Sequence, residues 1–174
     1  MVLPSGMPKG LKQSSSLITI GFQVDESAAD TFTQGSVDLQ LNPLDNEVFV
    51  VVAADLNIGS PNTITGTNTQ LQAAVTTTSR TALPNLSDSA CIAVANKAIR
   101  SDAIASVGFQ DHSLETPPAM LDYISIIATN DFFVQVQGTN NGTAKSVSGK
   151  LYGYRATADA AVYAALVQSE VLSA

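Results

Sequence analysis

The sequence predicts an all-β fold, an eight-stranded antiparallel sandwich followed by a short C-terminal helix. Three observations predict it. Apolar and polar residues alternate along several segments, the period of strands with one buried face. Clusters of Gly, Pro, Asn and Asp separate these segments at intervals of about 8–12 residues, the spacing of sandwiches rather than of alternating β and α units. The last segment reads as a short helix. A jelly roll is the commonest fit to this strand count and length. A Greek-key sandwich of another order is the alternative, because periodicity does not fix strand order. At 174 residues the chain is long enough for one domain. It divides into a flexible N-terminal arm (1–16), a sandwich domain (17–157) and the C-terminal helix (158–174).

The arm carries Pro4, Pro8, Gly6, Gly10 and four serines, which discourage both helix and strand. It holds Lys9 and Lys12 and no acid, whereas the remainder has 6 basic residues against 15 acids. The first strand is 17–24, with Ile18, Ile20, Phe22 and Val24 on one face. A polar connection (25–30) leads to 31–41, where Val37, Leu39 and Leu41 alternate with polar residues. Phe32 is out of phase there, and Gly35 would supply the bulge that corrects it. Asn42–Asn46 is a turn. Residues 47–54 form a continuous apolar run, a strand covered on both faces at the centre of a sheet or under a neighbouring subunit.

After a loop over 57–68, residues 69–78 place Leu71, Ala73, Val75 and Thr77 on one side. Residues 80–89 are loop. The stretch 90–99 fits either a helix capped by Asp88 or Ser89 or a strand, with its first half leaning to strand. Residues 102–109 are a further strand, and 110–120, with Pro117 and Pro118, a loop. Two strands, 121–128 and 132–137, flank the turn 129–131. Asn140-Asn141-Gly142 is a hairpin signal returning the chain into a partner strand at 146–155. In the closing helix (159–171), Val162, Ala165, Leu166 and Ser169 share a face.

Composition narrows the function classes. Charged residues are 13% of the chain and the net charge is −7. A typical share is roughly 25%, and a basic nucleic-acid-binding surface is not indicated. One Cys and one His cannot supply an intrachain disulfide or a His/Cys zinc site. No stretch has the continuous apolar core of a secretory signal, and the most apolar window, Val48–Leu56, is far short of the ~18 residues of a membrane span. The chain therefore reads as a soluble product made in the cytosol, in keeping with the lone Cys91.

Candidate chemistry is sparse. His112 lies between Asp111 and Ser113, but adjacent loop residues seldom form a triad, and a solvated histidine is the stronger reading. Cys91 sits in an apolar run with Lys97 as the closest cation and reads as core. Asp25, Glu26, Asp30, Asp38, Asp45, Glu47 and Asp55 are scattered. Asp45-Asn46-Glu47 offers oxygens without any EF-hand pattern. Asn85-Leu86-Ser87 and Asn141-Gly142-Thr143 match the glycosylation sequon, here read as chance. Tyr152 and Tyr154, beyond Lys150, share a strand face on which a sugar would stack, though core or interface is the commoner use. No catalytic, cofactor-binding or metal-binding residue is assigned, and no cofactor is expected.

A neutral Ser/Thr/Asn/Gln surface costs less to desolvate than a charged one and suits wide contacts between subunits. The segment DYISIIATNDFFVQVQGTNNGTAKSVSGKLYGYRA, 122–156, resembles the closing strands of single-jelly-roll virion proteins from viruses of bacteria or archaea, in which the stretch FFVQVQGTNN pairs with KLYGYRA across a polar turn. The arm resembles the capsid arms that tie neighbours together. The resemblance implies a capsid subunit without enzymatic activity, built into a virion in the host cytoplasm from many copies, often beside a second capsid protein. The terminal helix departs from the minimal jelly roll. Competing readings are a carbohydrate-binding β-sandwich module using Tyr152 and Tyr154, and a small hydrolase using carboxylates alone.

Overall fold

A computed structural model describes residues 7–112 and 121–173 of the chain. Its strands are β1 (Leu11–Gln13), β2 (Ile18–Asp25), β3 (Thr33–Asp38), β4 (Glu47–Ile58), β5 (Thr69–Thr76), β6 (Cys91–Ser101), β7 (Ser106–His112), β8 (Ser125–Ile127), β9 (Asp131–Thr139) and β10 (Ser146–Ala158), followed by helix α1 (Ala160–Ser173). One antiparallel sheet runs β1–β10–β4–β8, with β2 also on β10; the other runs β3–β9–β5–β6–β7.

This order is a jelly roll. The pairs β5–β6, β4–β8, β3–β9 and β2–β10 are the successive rungs of one long antiparallel ribbon. Rolled up, the ribbon places alternate rungs in opposite sheets. Strands β1 and β7 extend the eight-stranded plan at its edges. Of the arm span, residues 11–13 form β1, in register with Ala156–Ala158, and residues 1–6 lie outside the described residues.

The core lies between the sheets. Phe49, Val51, Ala54, Leu56, Ile58 and Leu151 meet Leu71, Ala73, Val75, Phe132, Val134 and Val136. Ile18, Ile20, Phe22 and Val24 point into it as the alternation required. The continuous run at 47–54 is buried on both faces, but its outer cover is not a neighbouring subunit. Val48 and Val50 pack under α1 of the same chain. β4 also contains a bulge: Tyr152 pairs with Ala53 and Gly153 with Val51, so Val52 is the extra residue. The bulge moves the inward set from Phe49 and Val51 to Ala54, Leu56 and Ile58.

Several expectations are corrected. The Gly35 bulge is absent, because β3 and β9 pair in unbroken register. Gly35 instead makes room across the sandwich, where a Cβ would stand 2.8 Å from Val24 Cγ2. The strand predicted over 31–41 ends at Asp38, since Gln40 takes a left-handed φ of 52°. Residues 91–101 are one strand throughout, with Ile92 as a second bulge opposite Val75/Thr76. The segment 102–105 is a turn in which the Asp102 carboxylate accepts the Ile104 and Ala105 amides at 2.8 and 2.7 Å. Strand β8 is shorter than 121–128. The Asn140-Asn141-Gly142 turn does not close a hairpin: β9 and β10 belong to different sheets, and β10 pairs with β2 and β4.

The buried face of α1 is Val162, Tyr163, Leu166, Val167 and Glu170, not one that includes Ala165 and Ser169, which are exposed. Asp159 starts the helix by accepting the Val162 amide at 2.8 Å. No helix among the described residues is long and apolar enough to cross a membrane.

Candidate assembly surface

The alternation that turns Leu71, Ala73, Val75, Val134 and Val136 inward turns their neighbours outward. The outer face of the β3–β9–β5–β6 sheet therefore carries Gln34 and Ser36, Gln135 and Gln137, Gln70 and Gln72, and Asn96, which lie side by side in the strand register. Gln135 and Thr76 are fully buried beneath this face, where Gln135 Nε2 donates to Gln34 Oε1 at 2.9 Å and to Thr76 Oγ1 at 2.7 Å, while the half-buried Gln70 donates from Nε2 to Asn96 Oδ1 at 2.7 Å. Formal charge on these four strands' outward positions is confined to the ends, with Asp38 and Asp131 at one and Arg100 at the other. The β5–β6 connection folds over one edge of this face, where the Arg80 amide donates to Gln34 Oε1 at 2.8 Å.

Loops collect at the two ends of the sandwich. At one end a polar network around the buried Glu26 joins three connections. Glu26 accepts the Gly138 amide at 2.6 Å and the Lys145 amide at 2.8 Å. Asp30 accepts the Asn141 amide at 2.9 Å, and Asn141 Oδ1 accepts the Asn62 amide at 2.8 Å. Asn141 Nδ2 donates to Gln70 O at 2.9 Å, and Lys145 Nζ donates to Asn62 Oδ1. Asn141 is thus a buried structural amide, and the second sequon is committed to folding.

At the other end Arg155 bonds Glu47 at 2.5 Å and donates to the carbonyls of Leu39 and Gln40 at 2.8 and 3.0 Å. Asn130 Oδ1 accepts the Leu41 amide at 2.8 Å, and Glu170 on α1 accepts the Ala128 and Thr129 amides at 2.7 and 2.8 Å. The sequence offers Glu26 only as one of the scattered carboxylates and singles out neither Glu170 nor Arg155. Only Glu170 carried a signal, an acid four residues after Leu166 on an apolar stripe.

The sequence candidates are dispersed. His112 ends β7 opposite Ala95 rather than lying in a loop, its side chain and that of Asp111 are outside the described residues, and so is Ser113. Asp45 accepts from Asn42 Nδ2 at 2.6 Å, while Glu47 is bound to Arg155. Among the described residues no group of three His, Cys, Asp or Glu side chains converges on a metal position. Tyr154 packs beneath α1 and its hydroxyl donates to Met7 Sδ at 3.6 Å, so it is not an open stacking platform beside Tyr152.

Cys91 lies beside the Arg80–Asp88 pair, whose contacts are 2.7 and 2.9 Å. Burial, with help from the Asp88 charge, pushes its thiol up to about 11. At pH 8 the reactive thiolate is therefore scarce. Alkylation by iodoacetamide is expected to run roughly a hundredfold slower in the folded chain than in urea. Equal rates would contradict this environment.

No family model matches the chain, and no curated protein matches it. A solved structure of Desmodium yellow mottle tymovirus is similar at 12% identity, covering 91% of this chain and 95% of that chain, with a TM-score of 0.30. A likeness of that degree adds nothing to the strand order. Nor does a tymovirus lend support to the bacterial or archaeal virus group that the sequence resemblance implied.

Proposed function

We propose that this chain is a non-enzymatic structural subunit that associates with copies of itself into a virion shell. Jelly rolls serve viral capsids, lectins and cupins alike, and fold alone does not assign function. The observation that carries the reading is the glutamine-rich, uncharged outer face of the β3–β9–β5–β6 sheet. Amide and hydroxyl groups there re-form hydrogen bonds with a partner at a smaller desolvation cost than charges would incur. The sequence resemblance over 122–156 supports the same role, with assembly in the host cytoplasm and a second capsid protein as companion. The reading gives the chain no specific nucleic-acid site, in line with its net charge of −7.

Purified protein is expected to elute as large particles by size exclusion with light scattering, and to show closed shells by negative-stain microscopy. A monomer at every concentration and salt would overturn the proposal. Saturable glycan binding by that monomer, lost in Tyr152→Ala, would favour the carbohydrate-binding alternative.

A further inference from the structure

The polar network around Glu26 brings an amine against a side-chain amide. Lys145 Nζ donates to Asn62 Oδ1 across 83 residues of sequence. We propose that this pair goes on to form an isopeptide bond, a cross-link that the folded chain makes between its β4–β5 and β9–β10 connections. The inference concerns the covalent structure of one chain and stands apart from self-association.

Four features support it. First, Lys145 is fixed at its root. Its amide donates to Glu26 Oε2 at 2.8 Å, its carbonyl accepts the Glu26 amide at 2.8 Å, and Glu26 is 5% exposed. Second, Asn62 is fixed likewise. Its amide donates to Asn141 Oδ1 at 2.8 Å, and its carbonyl accepts from the hydroxyl of the buried Thr69 at 2.7 Å. Third, no carboxylate among the described residues lies within ion-pairing reach of Lys145 Nζ, so no counter-ion holds the group as an ammonium. Fourth, the leaving nitrogen has an exit. Asn62 Nδ2 would be 3.3 Å from a Cβ on Gly142, which is exposed.

Amines hardly attack amides in dilute solution, but two groups held together react at effective concentrations of about 10⁵–10⁸ M. The Lys145 ammonium yields one proton to solvent, and the amine lone pair adds to Asn62 Cγ. The Nζ–Cγ bond forms, a second amine proton passes to Nδ2, and the Cγ–Nδ2 bond breaks. Ammonia leaves and takes up the proton that the solvent received. No oxidant or other reactant is consumed. A tie across 83 residues restricts the unfolded chain and so raises resistance to denaturant.

The test is the intact mass of the full chain, measured in denaturant after prolonged incubation in the folded state. The chain is expected to be about 17 Da lighter than its sequence, the mass of the departing ammonia. Trypsin should fail to cut after Lys145, leaving residues 13–80 joined to 101–150. Lys145→Arg keeps the charge but has no amine to add, and Asn62→Ala has no amide to lose. Each should show its full sequence mass, and Lys145→Arg should unfold at lower urea than the parent. Should Asn62→Ala fail to fold, the parent and Lys145→Arg decide. A parent at full mass, or complete cleavage after Lys145, would overturn the inference. So would a loss that persists in Lys145→Arg, which would mark ring closure at Asn141-Gly142 instead.

Discussion

Gly153→Ala is expected to destabilise the fold by about 3 kcal/mol or more, enough to lose much of the soluble protein. The cause is steric. A Cβ at position 153 would lie 2.2 Å from the Val50 carbonyl oxygen and 2.5 Å from Phe49 Cε1. The ring could turn aside, but the carbonyl belongs to the backbone of the central strand. Gly153 sits at the β4 bulge, where the two backbones approach and Phe49 fills the space above the missing side chain. Gly149, four pairs along, repeats the device with Phe22, whose Cζ would be 2.8 Å from a Cβ, and with the Asp55 carbonyl at 2.3 Å. Urea unfolding followed by circular dichroism measures the loss. Adding Phe49→Leu to Gly153→Ala should recover only part of it, since the carbonyl contact remains. Full recovery, or a single variant as stable as the parent, would show that the backbone yields.

Period two was legible because it needs only the local chain. It placed β2, β5 and β9, while the unbroken apolar run announced β4 and its burial on both sides. What the sequence could not show is which strand each strand meets. Asn140-Asn141-Gly142 has the chemistry of a hairpin turn, and Asn140 does take a left-handed φ of 58°. The chain nevertheless crosses to the other sheet, because β10 is claimed on both sides by β2 and β4. Gly35 misled for the same reason: its partner, Val24, is across the sandwich rather than along the ladder. Residues 90–99 looked undecided because the Ile92 bulge breaks their alternation. The neutral face was legible as low charge, but only the pairing of four strands gathers Gln34, Gln70, Gln72 and Gln137 into one surface.

Glu170→Ala is expected to cost about 3 kcal/mol and to release the C-terminal helix. The carboxylate receives two backbone amides, at Ala128 and Thr129, from the connection between β8 and β9. Hydrogen bonds to charged groups contribute about 1.5–3 kcal/mol each, and the abandoned amides are largely out of reach of other acceptors. Glu170 is 7% exposed, and on the helix it follows the apolar stripe of Val162, Leu166 and Val167. A 14-residue helix has little stability of its own. Its hold on the sheet is that narrow stripe plus this polar anchor at its far end. Once the anchor goes, Val48, Val50, Ala156 and Ala158 are left without cover, and a contiguous apolar patch invites aggregation. Thermal unfolding should fall in midpoint, and an apolar-surface dye should bind the variant below that midpoint. Glu170→Gln keeps one accepting oxygen but turns a donor toward an amide, so it should regain less than half the loss. A Glu170→Ala variant with the parent's midpoint and no dye binding would mean that apolar packing alone holds α1.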